Sequence, residues 1–159
     1  MTTAADKLVM FRLGEDLFAA DIVVVERVLR YAPPTSVPDM PAYIEGVMDY
    51  QGRVLPVVNL RRRFELASVP AVADTRILVL NAGGEWIGVV VDGVTEVVAF
   101  DRAALSAPPK LFRGLAREYV KGIIRRGEGL VIYLDVEHLL SSTERIALQG
   151  AGTAELTHG

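Results

Sequence analysis

Only a few side chains in this 159-residue chain could carry chemistry. His138 stands in the run Asp135-Val136-Glu137-His138-Leu139-Leu140, where an imidazole beside a carboxylate could act as a general base. Adjacent residues on a helix do not face one another, so Glu137 is poorly placed to orient that ring. A structural histidine is the simpler reading. His158 lies one residue from the end of the sequence. Asp21, Glu26, Asp92 and Glu96 fall at strand or turn edges, where a carboxylate caps a turn or is solvated. The chain has no cysteine, which removes a thiol nucleophile, a disulfide framework and thiolate metal sites. It has no Gly-Lys-Ser/Thr phosphate loop and no spaced Gly-x-Gly-x-x-Gly. The residues therefore point to no catalytic centre, no metal and no cofactor.

The remaining candidates are basic: Arg61-Arg62-Arg63 and Arg125-Arg126. On a strand Arg61 and Arg63 would share one face and Arg62 the other. Nucleic-acid binding wants aromatic rings interleaved with the cations and a basic domain. The net charge here is −3, so a solvated face or a contribution to a protein interface fits better.

The elements that must position these residues are strands. The chain holds 22 Val and 8 Ile, and stiff β-branched side chains suit a pleated surface. They come in short runs: Leu8–Leu13, Val54–Leu60, Ile77–Leu80, Ile87–Val91, Val94–Phe100 and Leu130–Leu134. Gly14-Glu15-Asp16 and Asn81-Ala82-Gly83-Gly84 join such runs as hairpin loops do. Asp21–Arg30 reads as a short helix followed by a strand. Pro56 inside a strand-like run predicts an edge strand or a bulge. A helix is expected over Asp135–Gln149, with Ser141-x-x-Glu144 as a capping box, and residues 151–159 form a frayed tail. Val9, Phe11, Val47, Val58, Leu60, Leu78, Val90, Ile123, Ile132 and Leu134 are the expected core. The longest strongly apolar stretch, Trp86 to Val91, is far short of the ~20 residues of a spanning helix. The start lacks a signal-peptide pattern, so the expectation is a soluble, cytoplasmic protein.

The most informative feature is an internal repeat. Tyr43-Ile44-Glu45-Gly46-Val47-Met48 recurs as Tyr119-Val120-Lys121-Gly122-Ile123-Ile124, and the register holds through Val54/Leu130, Asn59/Asp135 and Phe64/Leu140. Val24-Val25-Glu26-Arg27-Val28 parallels Val94-Thr95-Glu96-Val97-Val98 at an offset of 70. The blocks near 24–64 and 94–140 imply two similar small β-barrels within one domain of residues 1–150.

Several strings are also similar to a known family. Phe11-Arg12-Leu13-Gly14-Glu15-Asp16-Leu17-Phe18-Ala19-Ala20-Asp21-Ile22, followed by Val25-Glu26-Arg27-Val28-Leu29-Arg30, resembles the opening of the CheW family of bacterial chemotaxis coupling proteins. Val37-Pro38-x-x-Pro41-x-Tyr43-Ile44-x-Gly46-Val47 and Gly52-Arg53-Val54-Leu55-Pro56-Val57-Val58-Asn59-Leu60-Arg61-x-Arg63-Phe64 resemble its signature region. Gly88-Val89-Val90-Val91-Asp92-Gly93-Val94-x-Glu96-Val97 and Tyr119-Val120-x-Gly122-Ile123 resemble its second half. The resemblance implies a mainly β fold of two SH3-like five-stranded barrels around a shared hydrophobic core, with short helices and a C-terminal helix.

It further implies a non-enzymatic adaptor without cofactor. Such an adaptor joins the cytoplasmic tips of chemoreceptors to the regulatory domain of a CheA-type histidine kinase, in arrays at the inner membrane face, with no membrane insertion and no nucleic acid. Residue by residue, the strand bearing Val24, Glu26 and Val28 matches a partner-contact region. Gly46 and the turn Asp49-Tyr50-Gln51-Gly52 match the receptor-coupling segment. The family usually reads Asn-Leu-Arg-Gly at that turn. Gln51 lacks the charge and five-donor fork of an arginine, and Asp49 makes the patch acidic. Asn59 stands where the family commonly has Asp. These departures suggest a divergent chemosensory pathway, such as one driving pili or gliding. The other readings are an oligonucleotide-binding barrel, which predicts steep salt dependence, and a small-ligand barrel or hydrolase, which needs converging polar groups.

Overall fold

The computed structural model describes residues 6–107, 119–127 and 129–139. Glycine-rich turns cut the apolar runs into eleven strands: β1 (Lys7–Leu13), β2 (Asp16–Asp21), β3 (Val25–Arg30), β4 (Ile44–Tyr50), β5 (Arg53–Asn59), β6 (Arg76–Ala82), β7 (Glu85–Val91), β8 (Gly93–Ala99), β9 (Leu105–Ser106), β10 (Val120–Arg126) and β11 (Gly129–Leu134). One helical turn, α1 (Leu60–Arg63), follows β5, and 3-10 turns cover Ile22–Val24, Arg102–Ala104 and Val136–His138. The short helix read at Asp21 is the first of these 3-10 turns, leading directly into β3. Of the helix expected over Asp135–Gln149, the 3-10 turn Val136–His138 is described. Residue 140 onward, with the Ser141–Glu144 box and the 151–159 tail, lies outside the described residues.

The strands form two sheets in the orders β8-β1-β2-β11-β10-β9 and β3-β6-β7-β5-β4. The two orders are copies. The parallel pair Val57↔Gly88 recurs as Tyr133↔Ala19, and the bulge in β4 between Ile44 and Gly46 recurs in β10 between Val120 and Gly122. The two-residue β9 has its counterpart in the isolated bridge of Thr35 to Val47, so each sheet is five strands plus a short flanking pairing. Asn59 N–H donates to the Tyr43 carbonyl at 2.7 Å, and Asp135 N–H donates to the Tyr119 carbonyl at 2.8 Å.

Along the chain the repeat runs through β1–β5 and then β6–β11, and the two repeats exchange their leading hairpins, β1–β2 and β6–β7. β3 pairs with β6 and β8 pairs with β1, so the five-stranded sheet is continuous in sequence while the six-stranded sheet takes its β1–β2 hairpin from the chain's beginning. These ladders correct the offset of the first block. Leu8↔Val98 matches Ile77↔Leu29, and Val94↔Phe11 matches Val25↔Leu80, a shift of 69 rather than 70. Glu26 therefore corresponds to Thr95, the extra residue at a bulge, and Arg27 to Glu96. Short apolar strings match in either register, and only the hydrogen-bond ladder distinguishes them.

Pro56 is neither on an edge nor at a bulge: β5 lies between β7 and β4. Alternate N–H groups of a strand point to opposite sides. Asn59 N–H faces β4, so Leu55 and Val57 also face β4, and position 56 faces β7. There the ladder starts only at Val57, so the missing donor breaks no bond.

One apolar cluster spans both sheets, with Phe11, Phe18 and Leu134 from one and Val58, Leu78 and Val89 from the other. Each sheet also has its own smaller core: Leu8, Met10, Ala19, Ile124, Val131 and Tyr133 in one, and Tyr50, Leu55 and Val79 in the other. Seven of the ten expected core residues are buried; Val47, Val90 and Ile132 are half-buried.

At the seam sits a residue no apolar pattern would place there. Arg63, 8% exposed, lays its guanidinium over the rings of Tyr43 (4.2 Å) and Tyr119 (5.0 Å), the two repeat-equivalent tyrosines. Its Nε donates to the Leu139 carbonyl at 2.9 Å, and Leu139 is the repeat equivalent of Arg63 itself. A buried charge must be compensated, and here two ring faces and a carbonyl contribute. Replacing Arg63 with Ala is expected to cost about 2–4 kcal/mol in urea unfolding. Arg63→Lys should recover less than half of that, because an ammonium cannot stack as a plane; full recovery would show that stacking contributes nothing.

Candidate functional site

The proposed contact residues lie on two features of the five-stranded sheet. Among the described residues β3 is an edge strand, hydrogen-bonded to β6 alone, and Glu26, Arg27 and Val28 are exposed. Such an edge is a ready template for another chain. The 3-10 turn before it carries Ile22 and Val23, exposed by 37% and 84%, whereas Val24 is half-buried against the shared core. A 3-10 turn abandons strand alternation, so of the three successive valines the outward one is Val23, which sequence periodicity passes over.

The second feature is the β4–β5 hairpin at the other edge of this sheet. Gln51 and Gly52 have φ of 52° and 78°, the paired positive values of the tight turn whose twist matches the flanking strands. Asp49, Gln51 and Gly52 are exposed. Tyr50 is 7% exposed, its ring edge-on to Trp86 at 5.3 Å, with the Arg53 guanidinium 4.5 Å above the same indole. Tyr50 thus anchors the turn from within, and the outward chemistry belongs to Asp49 and Gln51. Gly46 is likewise a packing position. A Cβ there would lie 2.1 Å from the Thr35 carbonyl oxygen, at a φ of 153°. The bare glycine lets the chain entering at Thr35 bridge β4, as Gly122 does for Leu105 and Ser106.

The repeat supplies a second edge. β8 is the outer strand of the six-stranded sheet and equivalent to β3; Thr95 and Glu96 are exposed, and Val97 is 52% exposed. The repeat itself is the signal that could have nominated residues 93–99.

The arginine run does not behave as a solvated strand face. In α1, Arg61 grips Asp92 at 2.5 and 3.1 Å, and Arg63 is buried at the seam. Gly14 N–H also donates to Asp92 at 2.6 Å, so one carboxylate ties the β1–β2 turn, α1 and the end of β7 together. Burial pushes the Asp92 carboxyl up, but the Arg61 and Gly14 hydrogen bonds with the Arg61 and Arg12 charges outweigh it and hold it below its usual value. The stability this gives is present above the ordinary carboxylate range and is lost as pH falls through the lowered pKa. Arg126 pairs with Glu96 at 3.2 Å.

Asn59, at the family's usual Asp position, has a specific partner. Its side-chain oxygen caps α1 by accepting from Arg62 N–H at 3.1 Å, and its amide donates to Glu45 at 2.6 Å. The Tyr31 hydroxyl donates to the other Glu45 oxygen at 2.9 Å; burial, then this hydrogen bond, raises the Tyr31 pKa. At the equivalent positions of the other copy stand Lys121 and Asp135. The Asn59–Glu45 hydrogen bond thus stands where the sequence of the other copy has Asp and Lys, and an Asp at 59 would oppose the Glu45 carboxylate.

Two copies of one β sheet sharing a core, with the leading hairpins of the two sequence repeats exchanged between them, define a scaffold of the CheW class. The chain belongs to the CheW-like family, whose domain model matches residues 7–144. It is 33% identical over 142 residues to the chemotaxis protein CheW of Klebsiella aerogenes, covering 89% of this chain and 86% of that protein. To the chemotaxis protein CheW of Treponema pallidum it is 31% identical, covering 87% and 84%. The crystal structure of the scaffolding protein TtCheW from Thermoanaerobacter tengcongensis superposes with a TM-score of 0.81 at 28% identity, over 88% of this chain and 95% of that one. Among the described residues no helix is long and apolar enough to cross a membrane.

Asn59→Asp alone should lower stability by about 1–3 kcal/mol at neutral pH, as it sets two carboxylates in contact. Adding Glu45→Lys, which installs the pair of the other copy, should recover most of the loss; a double variant no more stable than the single would refute the charge matching. Thermal unfolding of the three proteins at one pH makes the comparison.

Proposed function

We propose that this protein is a non-enzymatic adaptor that couples chemoreceptors to a CheA-type histidine kinase. The observation that carries the reading is the pair of repeat-related edge strands, β3 and β8, each hydrogen-bonded on one side among the described residues and each exposing valine beside charged residues. Apolar side chains on an unpaired edge give a partner both backbone and side-chain contacts. In this reading Val23, Glu26 and Val28 face the kinase's regulatory domain, with Val24 supporting them from the core side. Asp49, Gln51 and Gly52 face the cytoplasmic tips of receptors, while Gly46 and Tyr50 shape that turn from behind. The adaptor acts in the cytoplasm, in receptor–kinase arrays at the inner membrane face.

The acidic Asp49-Tyr50-Gln51-Gly52 turn favours receptors other than the ordinary flagellar type. A receptor tip matched to it would present a donor or a cation where the usual partner meets an arginine.

Calorimetric titration with the regulatory domain of a CheA-type kinase from the same organism tests the first contact. Saturable one-to-one binding is expected, weakened at least about tenfold by Val28→Glu, which puts a charge at the edge without touching the core. Unchanged affinity in that variant would remove β3 from the interface, and no binding at high micromolar protein would overturn the kinase partner. For the turn, Asp49→Asn with Gln51→Arg should improve binding to flagellar-type receptor tips. No improvement would show that the turn does not set partner choice.

A further inference from the structure

A cavity of about 150 Å³ opens in the six-stranded sheet, walled by Leu8, Met10, Val98, Ile124 and Val131, with Arg126 at its rim. Its origin is visible in the other copy. The equivalents of Met10, Val98, Ile124, Val131 and Arg126 are Val79, Leu29, Met48, Leu55 and Tyr50, and these five pack together with Trp86 as the core of the five-stranded sheet. There the Tyr50 ring occupies the space, edge-on to Trp86. In the six-stranded sheet Arg126 replaces Tyr50 and Leu17 replaces Trp86. Arg126 turns away to Glu96 at 3.2 Å, and the volume of the ring is left open.

We propose that this cavity is a binding site for a small aromatic carboxylate, with its ring among Met10, Ile124 and Val131 and its carboxylate at Arg126. The volume suits one six-membered ring, since an apolar cavity of about 150 Å³ in an unrelated protein stays dry and takes up benzene. Arg126 is the rim group that would receive an anion. Asp101 there is occupied in capping the Ala103 N–H at 2.9 Å, and Glu96 is paired with Arg126. A guanidinium has five donors, of which Glu96 engages one nitrogen, and a planar carboxylate matches the fork that remains. The site does not depend on the adaptor reading.

Benzoate and its neutral analogue benzyl alcohol are the probes, followed through the methyl resonances of Met10 and Ile124. Met48, in the filled copy, is the internal control. Saturable shifts at Met10 and Ile124 are expected with a benzoate dissociation constant on the order of 1 mM. Benzyl alcohol should bind about tenfold more weakly, and Arg126→Gln should bring benzoate down to the same level. Val131→Phe, which supplies a ring to the cavity, should abolish both; should it fail to fold, the wild-type pattern decides. The proposal is overturned if neither probe saturates, if Met48 shifts as much as Met10, if benzyl alcohol binds as tightly as benzoate, or if Arg126→Gln leaves benzoate binding unchanged.

Discussion

Arg63 carries a full charge into a seam where water is scarce, and everything near it is arranged to meet that charge. Two tyrosine faces and the Leu139 carbonyl take it up, and the tyrosines come one from each copy of the repeat. The guanidinium thus fixes how the copies are apposed more sharply than apolar contact alone, which is non-directional. The aromatic chain Phe11, Phe18, Phe64 and Tyr119, with centroids 5.7 to 5.9 Å apart, extends the same seam. The Asp92 carboxylate, gripping Arg61 and the Gly14 N–H, clamps its flank. With the seam fixed, β3 and β8 cross onto each other's hairpins, and among the described residues each of the two strands is paired on one side only.

The backbone repeats closely while the side chains do not, and the differences are physical complements. Glu45 and Asn59 stand where the other copy has Lys121 and Asp135. Tyr50 and Trp86 fill a core whose counterpart, with Arg126 and Leu17, holds a cavity. The shared features are those the backbone requires: a glycine at 46 and 122 under a crossing chain, a bulge beside it, and an N–H bond back to Tyr43 or Tyr119. The core behind the Tyr50 turn is therefore filled by an aromatic pair, and its counterpart in the other copy has an opening, so the two ends of the molecule offer different surfaces.

Exposure on β3 illustrates how local geometry edits a pattern. Three successive valines suggest a strand face, but the 3-10 turn rotates Val23 outward and Val24 toward the core. The same holds at the hairpin, where Tyr50 is drawn in by Trp86 and the exposed residues are its neighbours. Of the eight candidate residues five are exposed while Val24, Gly46 and Tyr50 turn inward, so the segments were legible and the side chains only in part.

The sequence by itself determined the β character, the turns, the repeat and the family, because β-branched runs, glycine spacing and period-2 alternation are local properties. It also identified the segments 24–28 and 49–52 as distinctive. Only the tertiary structure decided that β3 joins β6 and β8 joins β1, since alternation specifies which face of a strand is buried but not which strand lies beside it. For the same reason the true register of the first repeat block, the interior place of Pro56 and the burial of Arg63 emerged only from long-range pairing. A basic run reads as solvated until the rings that could receive it are brought near, and Tyr43 and Tyr119 are 76 residues apart along the chain.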